Sequence, residues 1–154
     1  MLAPDPGEGS ALTVAIVAPP WYPLPPDGYG GIELVVSLLA AGLRERGHRV
    51  LLFGASDSSD EVIGLGDSSW RRDLGVVHAQ GLRDLTYAAR VHGHLAGVDG
   101  QIDVVHDHSG LATVALTQEL NIAPVIHTVH GPVTEPLVSA LHSLGPWASL
   151  VAIS

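Results

Sequence analysis

Residues 11–46 read ALTVAIVAPPWYPLPPDGYGGIELVVSLLAAGLRER, and the reading of this stretch decides the fold. Leu12 to Val17 is a run of strand length, apolar but for Thr13 and partly β-branched, which fits a central parallel strand covered on both faces. Pro19, Pro20, Pro23, Pro25 and Pro26 then remove backbone donors, so the chain must leave the sheet as an extended loop carrying Trp21 and Tyr22. That loop closes on Gly28, Tyr29, Gly30 and Gly31. From there apolar residues recur at Ile32, Val35, Val36, Leu39 and Leu43, three and four apart, which predicts a helix with that face on the sheet.

At the turn, Gly30 and Gly31 let the backbone approach a ligand closely while the first free amides of the helix point outward, an arrangement that attracts anions. A bare glycine pair serves equally to pack a helix tightly on its strand. The proline-stiffened loop, with Tyr29 beside the glycines, is longer than a tight crossover needs and favours the ligand. The spacing is not GxGxxG, and Asp57 and Asp60 lie further from the turn than a ribose-binding acid does, which disfavours a dinucleotide cofactor.

Working outward, Gly47 ends the helix and Arg49 to Ala55 forms a second strand, completing a βαβ unit. Val62 to Leu65 is a candidate edge strand, and Trp70 with Arg71 and Arg72 reads as a half-buried loop anchor. A helix is predicted from Gly81 to Leu95 with Leu82, Leu85, Ala89, His92 and Ala96 on its stripe, His92 and His94 being packing or surface residues. Ile102 to His106 is the next strand; Ser109 caps a helix running to about Leu120. Pro124 to Thr128 is a strand, Thr134-Glu135-Pro136 starts a helix that Gly145 and Pro146 stop, and Ser149 to Ile153 is the last strand. The alternation predicts an α/β fold: a Rossmann-like, doubly wound parallel sheet of about six strands, order 3-2-1-4-5-6, with helices on both faces.

The 154 residues allow one domain, residues 11–154, behind a disordered leader, residues 1–10, that lacks the basic and apolar parts of a signal peptide. No apolar run approaches the ~20 residues that span a bilayer. The absence of cysteine excludes disulfides and thiol chemistry, and a cytoplasmic location is expected. A net charge of -9 argues against nucleic acid and anionic membranes. All basic residues are arginine, and Arg44, Arg46 and Arg49 stand at the far end of the first helix, ~20 Å from the glycine turn and beyond the ~8 Å reach of a screened charge. A helix N-terminus contributes only ~0.3–1 kcal/mol to an anion, so a diphosphate needs cations from elsewhere.

Ligands of such sheets bind outside the carboxyl ends of the strands. Three segments end there, PPWYPLPPDGYGG (19–31), DVVHDHSG (103–110) and VIHTVHGP (125–132), and they bring His106, Asp107, His108, His127 and His130. His106 and His108 are expected to point to opposite sides, poor geometry for one ion, and no metal is expected. His127 is expected to be a core histidine. No GxSxG turn supports a hydrolase.

Residues 19–50, PPWYPLPPDGYGGIELVVSLLAAGLRERGHRV, resemble the opening of the N-terminal domain of retaining family 4 glycosyltransferases, which have the two-domain GT-B fold. Loop, glycine pair, Glu33 and the closing RGHRV occur in order, and DVVHDHSG, PVIHTVHG and LVAIS extend the likeness from Leu12 to Ser154. The resemblance implies that Gly30 and Gly31 approach the donor diphosphate and that His130, the catalytic candidate, faces the transferred sugar. It implies too that Tyr29, Glu33, His106, Asp107 and His108 border the acceptor. Front-face transfer from a nucleotide-sugar needs no protein nucleophile, since the leaving phosphate can take the acceptor proton, and no cofactor; it does need cationic stabilisation of that phosphate. In the family those basic groups belong to a second domain. The expectation is therefore an acceptor-side domain whose C-terminal donor-binding partner is absent from this chain and acts in cis or in trans. Such a domain is inactive or nearly so alone and can self-associate through its exposed interdomain face. The alternative is a stand-alone binding or regulatory module without catalysis.

Overall fold

The apolar run becomes β1 (Thr13–Val17), a central strand of an all-parallel, six-stranded sheet in a computed structural model that describes residues 10–145 and 148–153. The other strands are β2 (Arg49–Ala55), β3 (Ile63–Gly66), β4 (Val104–Asp107), β5 (Val125–Val129) and β6 (Ala148–Ala152). Their order, β3-β2-β1-β4-β5-β6, is the predicted doubly wound one. The helices are α1 (Gly31–Glu45), α2 (Val77–Leu95), α3 (Leu111–Glu119) and α4 (Glu135–Ser143). The leader through residue 9, Pro146 and Ser154 lie outside the described residues. No described helix is long and apolar enough to cross a membrane.

Side chains alternate across β1, and that alternation makes two cores. Val14 and Ile16 pack with Leu52 beneath Val36 and Ala40 of α1. Ala15 and Val17 face the other way, onto Phe53, Val105 and the α2 residues Tyr87, Val91 and Leu95. Right-handed crossovers place α1 on one face and α2 with α3 on the other. His92 ties α2 to α3: its Nδ1–H donates to Ala88 O at 2.6 Å, and its Nε2 lies 2.7 Å from the Thr117 hydroxyl. Gly47, at φ +84°, closes α1 by donating its N–H to Arg44 O, as expected.

Three expectations are corrected. The helix α2 starts at Val77 rather than Gly81, and its buried stripe is Tyr87, Ala88, Val91, His92 and Leu95, with Leu82 and Leu85 exposed. The large Tyr87 and the bridging His92 turn the helix so that it serves both the sheet and α3. On α1, Glu33, Val36 and Ala40 are buried while Leu34, Val35 and Leu38 are exposed. Ser109 does not cap α3: the N-cap is Gly110, and the Ser109 hydroxyl donates to Asp107 instead, a charge-assisted bond that outcompetes a neutral cap. Trp70 is the buried anchor of its loop, with the guanidinium groups of Arg83 and Arg90 stacked at 5.2 and 4.9 Å from the ring centre.

Candidate functional site

The loop after β1 is a fixed wall, although it has no regular structure. Trp21 and Leu24 are buried; the Leu24 N–H donates to Ser58 Oγ, and Leu24 O accepts from the Ser59 N–H. The loop turns at Gly30, where φ is +148° and a Cβ would stand 2.7 Å from Pro26 Cβ, so only glycine fits. Helix α1 begins there with no side-chain cap from Gly30; the Gly31 and Ile32 amides are open, while that of Glu33 faces its own carboxylate. Glu33, in that first turn, is buried; burial raises its pKa, opposed by its own backbone amide and by Arg71.

Arg71 comes from the short 3-10 helix Ser68–Asp73, which follows β3. Its Nε–H donates to Trp21 O at 2.8 Å, it pairs with Asp57 at 2.7 Å, and its guanidinium lies 5.3 Å over the Tyr22 ring. Tyr22 in turn meets Tyr29 edge to face at 5.4 Å. Trp21, Tyr22, Tyr29, Gly31, Glu33 and His130 line a cleft of about 420 Å³.

Behind His130, on the far side of the cleft, stand the ends of β4 and β5. Asp107 has no exposed surface and accepts four hydrogen bonds. Oδ2 takes the His127 Nδ1–H at 2.7 Å and the Gly110 N–H at 3.1 Å, while Oδ1 takes the Ser109 N–H at 3.1 Å and its hydroxyl at 2.6 Å. His127 is a core histidine, as expected. Beside this pair, His108 Nδ1 and His130 Nε2 share one hydrogen bond at 2.7 Å, and His106 Nε2 lies 2.9 Å from Thr128 Oγ1.

The rings of His106 and His108 lie 4.3 Å apart, not on opposite sides as expected; residues two apart along a strand direction share a face, and His108 keeps that sense one residue beyond β4. Burial pushes His108 down to about 3, helped by His106, His130 and His127. Burial and His127 lower His130 against the pull of Asp107, and burial lowers His106. These imidazoles are therefore neutral near pH 7 and act as hydrogen-bonding groups. Among the described residues no group of three His, Asp or Glu side chains is arranged to hold a metal ion.

The structure thus brings Tyr29, Gly31, Glu33 and His130 to one cleft, with Gly30 shaping the turn behind them. His108 buttresses His130, His106 stacks on His108, and Asp107 sits beneath, inaccessible. Sequence reading placed the proline-rich loop that carries Trp21 at the acceptor pocket, but missed Arg71, which backs the cleft wall through Trp21 and Tyr22. Arg71 follows the Trp70 anchor directly, which was the available signal, but only the folded loop shows that it reaches back to Trp21 and Tyr22.

The fold is a Rossmann-like parallel sheet, and the cleft opens at the switch point between β1 and β4, where ligands of such sheets bind. The family model of Glycosyltransferase Family 4 matches residues 29–152, most of the chain, and the chain belongs to that family. The match runs from Tyr29 to the end of β6 and so contains Tyr29, Gly30, Gly31, Glu33, His106, Asp107, His108 and His130, while Trp21 and Tyr22 precede it. A comparison with curated proteins finds no match.

Proposed function

We propose that this chain is the acceptor-binding domain of a retaining glycosyltransferase that uses a nucleotide-sugar, with the nucleotide held by a C-terminal domain acting in cis or in trans. The observation that carries this reading is the cleft itself, where the uncapped N-terminus of α1 and the His130 imidazole line one space. Gly30 and Gly31 let the donor diphosphate reach the α1 amides. His130, neutral and steadied by His108, offers a hydrogen bond to a hydroxyl of the transferred sugar. Tyr29 and Glu33 border the acceptor, with His106 and His108 behind them and Asp107 positioning that wall.

The leaving phosphate takes the acceptor proton, so this chain supplies no nucleophile. Arg71, the guanidinium whose charge acts on Glu33, is already paired with Asp57, which leaves most of the phosphate neutralisation to the second domain. An exposed apolar strip at Leu34, Val35 and Leu38 of α1, with Tyr29 and Ile153 beside the cleft, supports a covering partner or self-association.

The test is turnover of a panel of nucleotide-sugars by the purified chain, alone and mixed with a matching donor-binding domain. Activity in the mixture only is the expected result. Silence in both, with no acceptor or nucleotide binding by calorimetry, would replace this reading with a non-catalytic binding module.

A further inference from the structure

A second cavity, of about 260 Å³, lies on the opposite face of the sheet from α1, between α2 and the start of α3. Asp84 and Tyr87 of α2 and residues from Ser109 to Thr113 form its wall; it shares no lining residue with the cleft described above.

Three features of this wall are unexplained by packing. Tyr87 is 1% exposed, yet its hydroxyl has no hydrogen-bond partner among the described residues. An orphaned buried hydroxyl costs about 1–3 kcal/mol, which phenylalanine in the same place would avoid. Burial and the nearby Asp107 push this phenol up, so it keeps its proton and remains a donor. Helix α3 has no side-chain cap; the Ser109 and Gly110 amides go to Asp107, whereas those of Leu111 and Ala112, at the first turn, are open. Asp84 is half-buried and makes neither an ion pair nor a side-chain hydrogen bond among the described residues.

The balance of charge selects the ligand. Arg83, next to Asp84 in the chain, is drawn away to Asp73 and Trp70, and no cation lines the cavity. An anion would meet the Asp84 carboxylate, with the field of the buried Asp107 behind the wall and only helix amides to offset them. A cation would meet the positive end of α3. A neutral polyhydroxyl meets neither obstacle, because each hydroxyl can give a proton to one group and accept from another.

We propose that this cavity binds a neutral polyol, whose hydroxyls donate to Asp84 and accept from Tyr87 and the first amides of α3. The inference concerns binding alone and stands without the transfer reaction.

Titrating the isotope-labelled chain with D-glucose, glycerol, inorganic phosphate and tetramethylammonium, at matched ionic strength, tests it by amide NMR. The expected result is a saturable movement of the Leu111 and Ala112 signals with glucose or glycerol only, weakened about tenfold or more by Asp84→Asn. Tyr87→Phe should raise the melting temperature of the free protein and also weaken the polyol. Movement with phosphate or tetramethylammonium in place of a polyol, no saturable movement with any probe, or polyol binding indifferent to both substitutions would overturn the proposal.

Discussion

Two histidine contacts join the ends of β4 and β5 at the same 2.7 Å, one between His127 and Asp107 and the other between His130 and His108. The first couples a base to an acid, wholly buried, with both carboxylate oxygens engaged. The second couples two bases, leaves His108 Nε2 without a partner, and sets His130 at the edge of the cleft. A saturated pair can only hold structure. An unsaturated pair of neutral imidazoles keeps hydrogen-bonding capacity for something else, and its position is held by the saturated pair, one residue before His108 and three before His130.

The largest effect that would break this comparison is expected at Asp107. Asp107→Ala strips partners from His127, Ser109 and Gly110 at once and should cost about 3–5 kcal/mol, read from the urea midpoint. A loss under about 1 kcal/mol would show that the buried pair is not the frame.

His130→Ala should behave in the reverse way. Turnover by the assembled enzyme is expected to fall about a hundredfold, while stability changes by no more than about 1 kcal/mol for the hydrogen bond lost to His108. Equal losses of stability in both variants would erase the distinction between the two pairs.

Acid sharpens the comparison further. The unfolded chain protonates His108 near pH 6.5, the folded chain only near 3. Between those values the unfolded state binds more protons, so stability is full above pH 6.5 and falls as pH drops, by about 1.4 kcal/mol per pH unit from this residue. His108→Phe should flatten that limb in denaturation curves measured across the window. An unchanged slope would place the acid sensitivity elsewhere.

The smallest effect is expected at Ser109, whose hydroxyl bridges Asp107 and Thr113. Ser109→Ala should cost about 1 kcal/mol by chemical denaturation without altering turnover, which separates the framework from the cleft.

The strand, the proline loop and the helix after it were legible because each is a local property: an apolar run of strand length, prolines without donors, and a three-and-four spacing. Alternation and crossover handedness allow more than one strand order, and the structure takes the doubly wound one that was expected. Less was legible wherever two local choices were equally good. Val35 and Val36 are both apolar, and only packing on Val14, Ile16 and Leu52 shows that Val36 is inside. Ser109 and Gly110 can each precede a helix, and the demand of Asp107 for donors decides between them. His106 and His108 were expected apart and are stacked.

By itself the sequence determined the α/β class, the likeness to family 4 glycosyltransferases and the proline-rich loop and His130 segment that line the cleft. These depend on periodicity and backbone restraint within one stretch of chain. The tertiary structure alone decided that Asp107 stands opposite His127, that His108 meets His130, and that Arg71 returns to Trp21. Each of those contacts joins residues at least 20 positions apart through strand register or a folded loop, and no local pattern encodes such a distance.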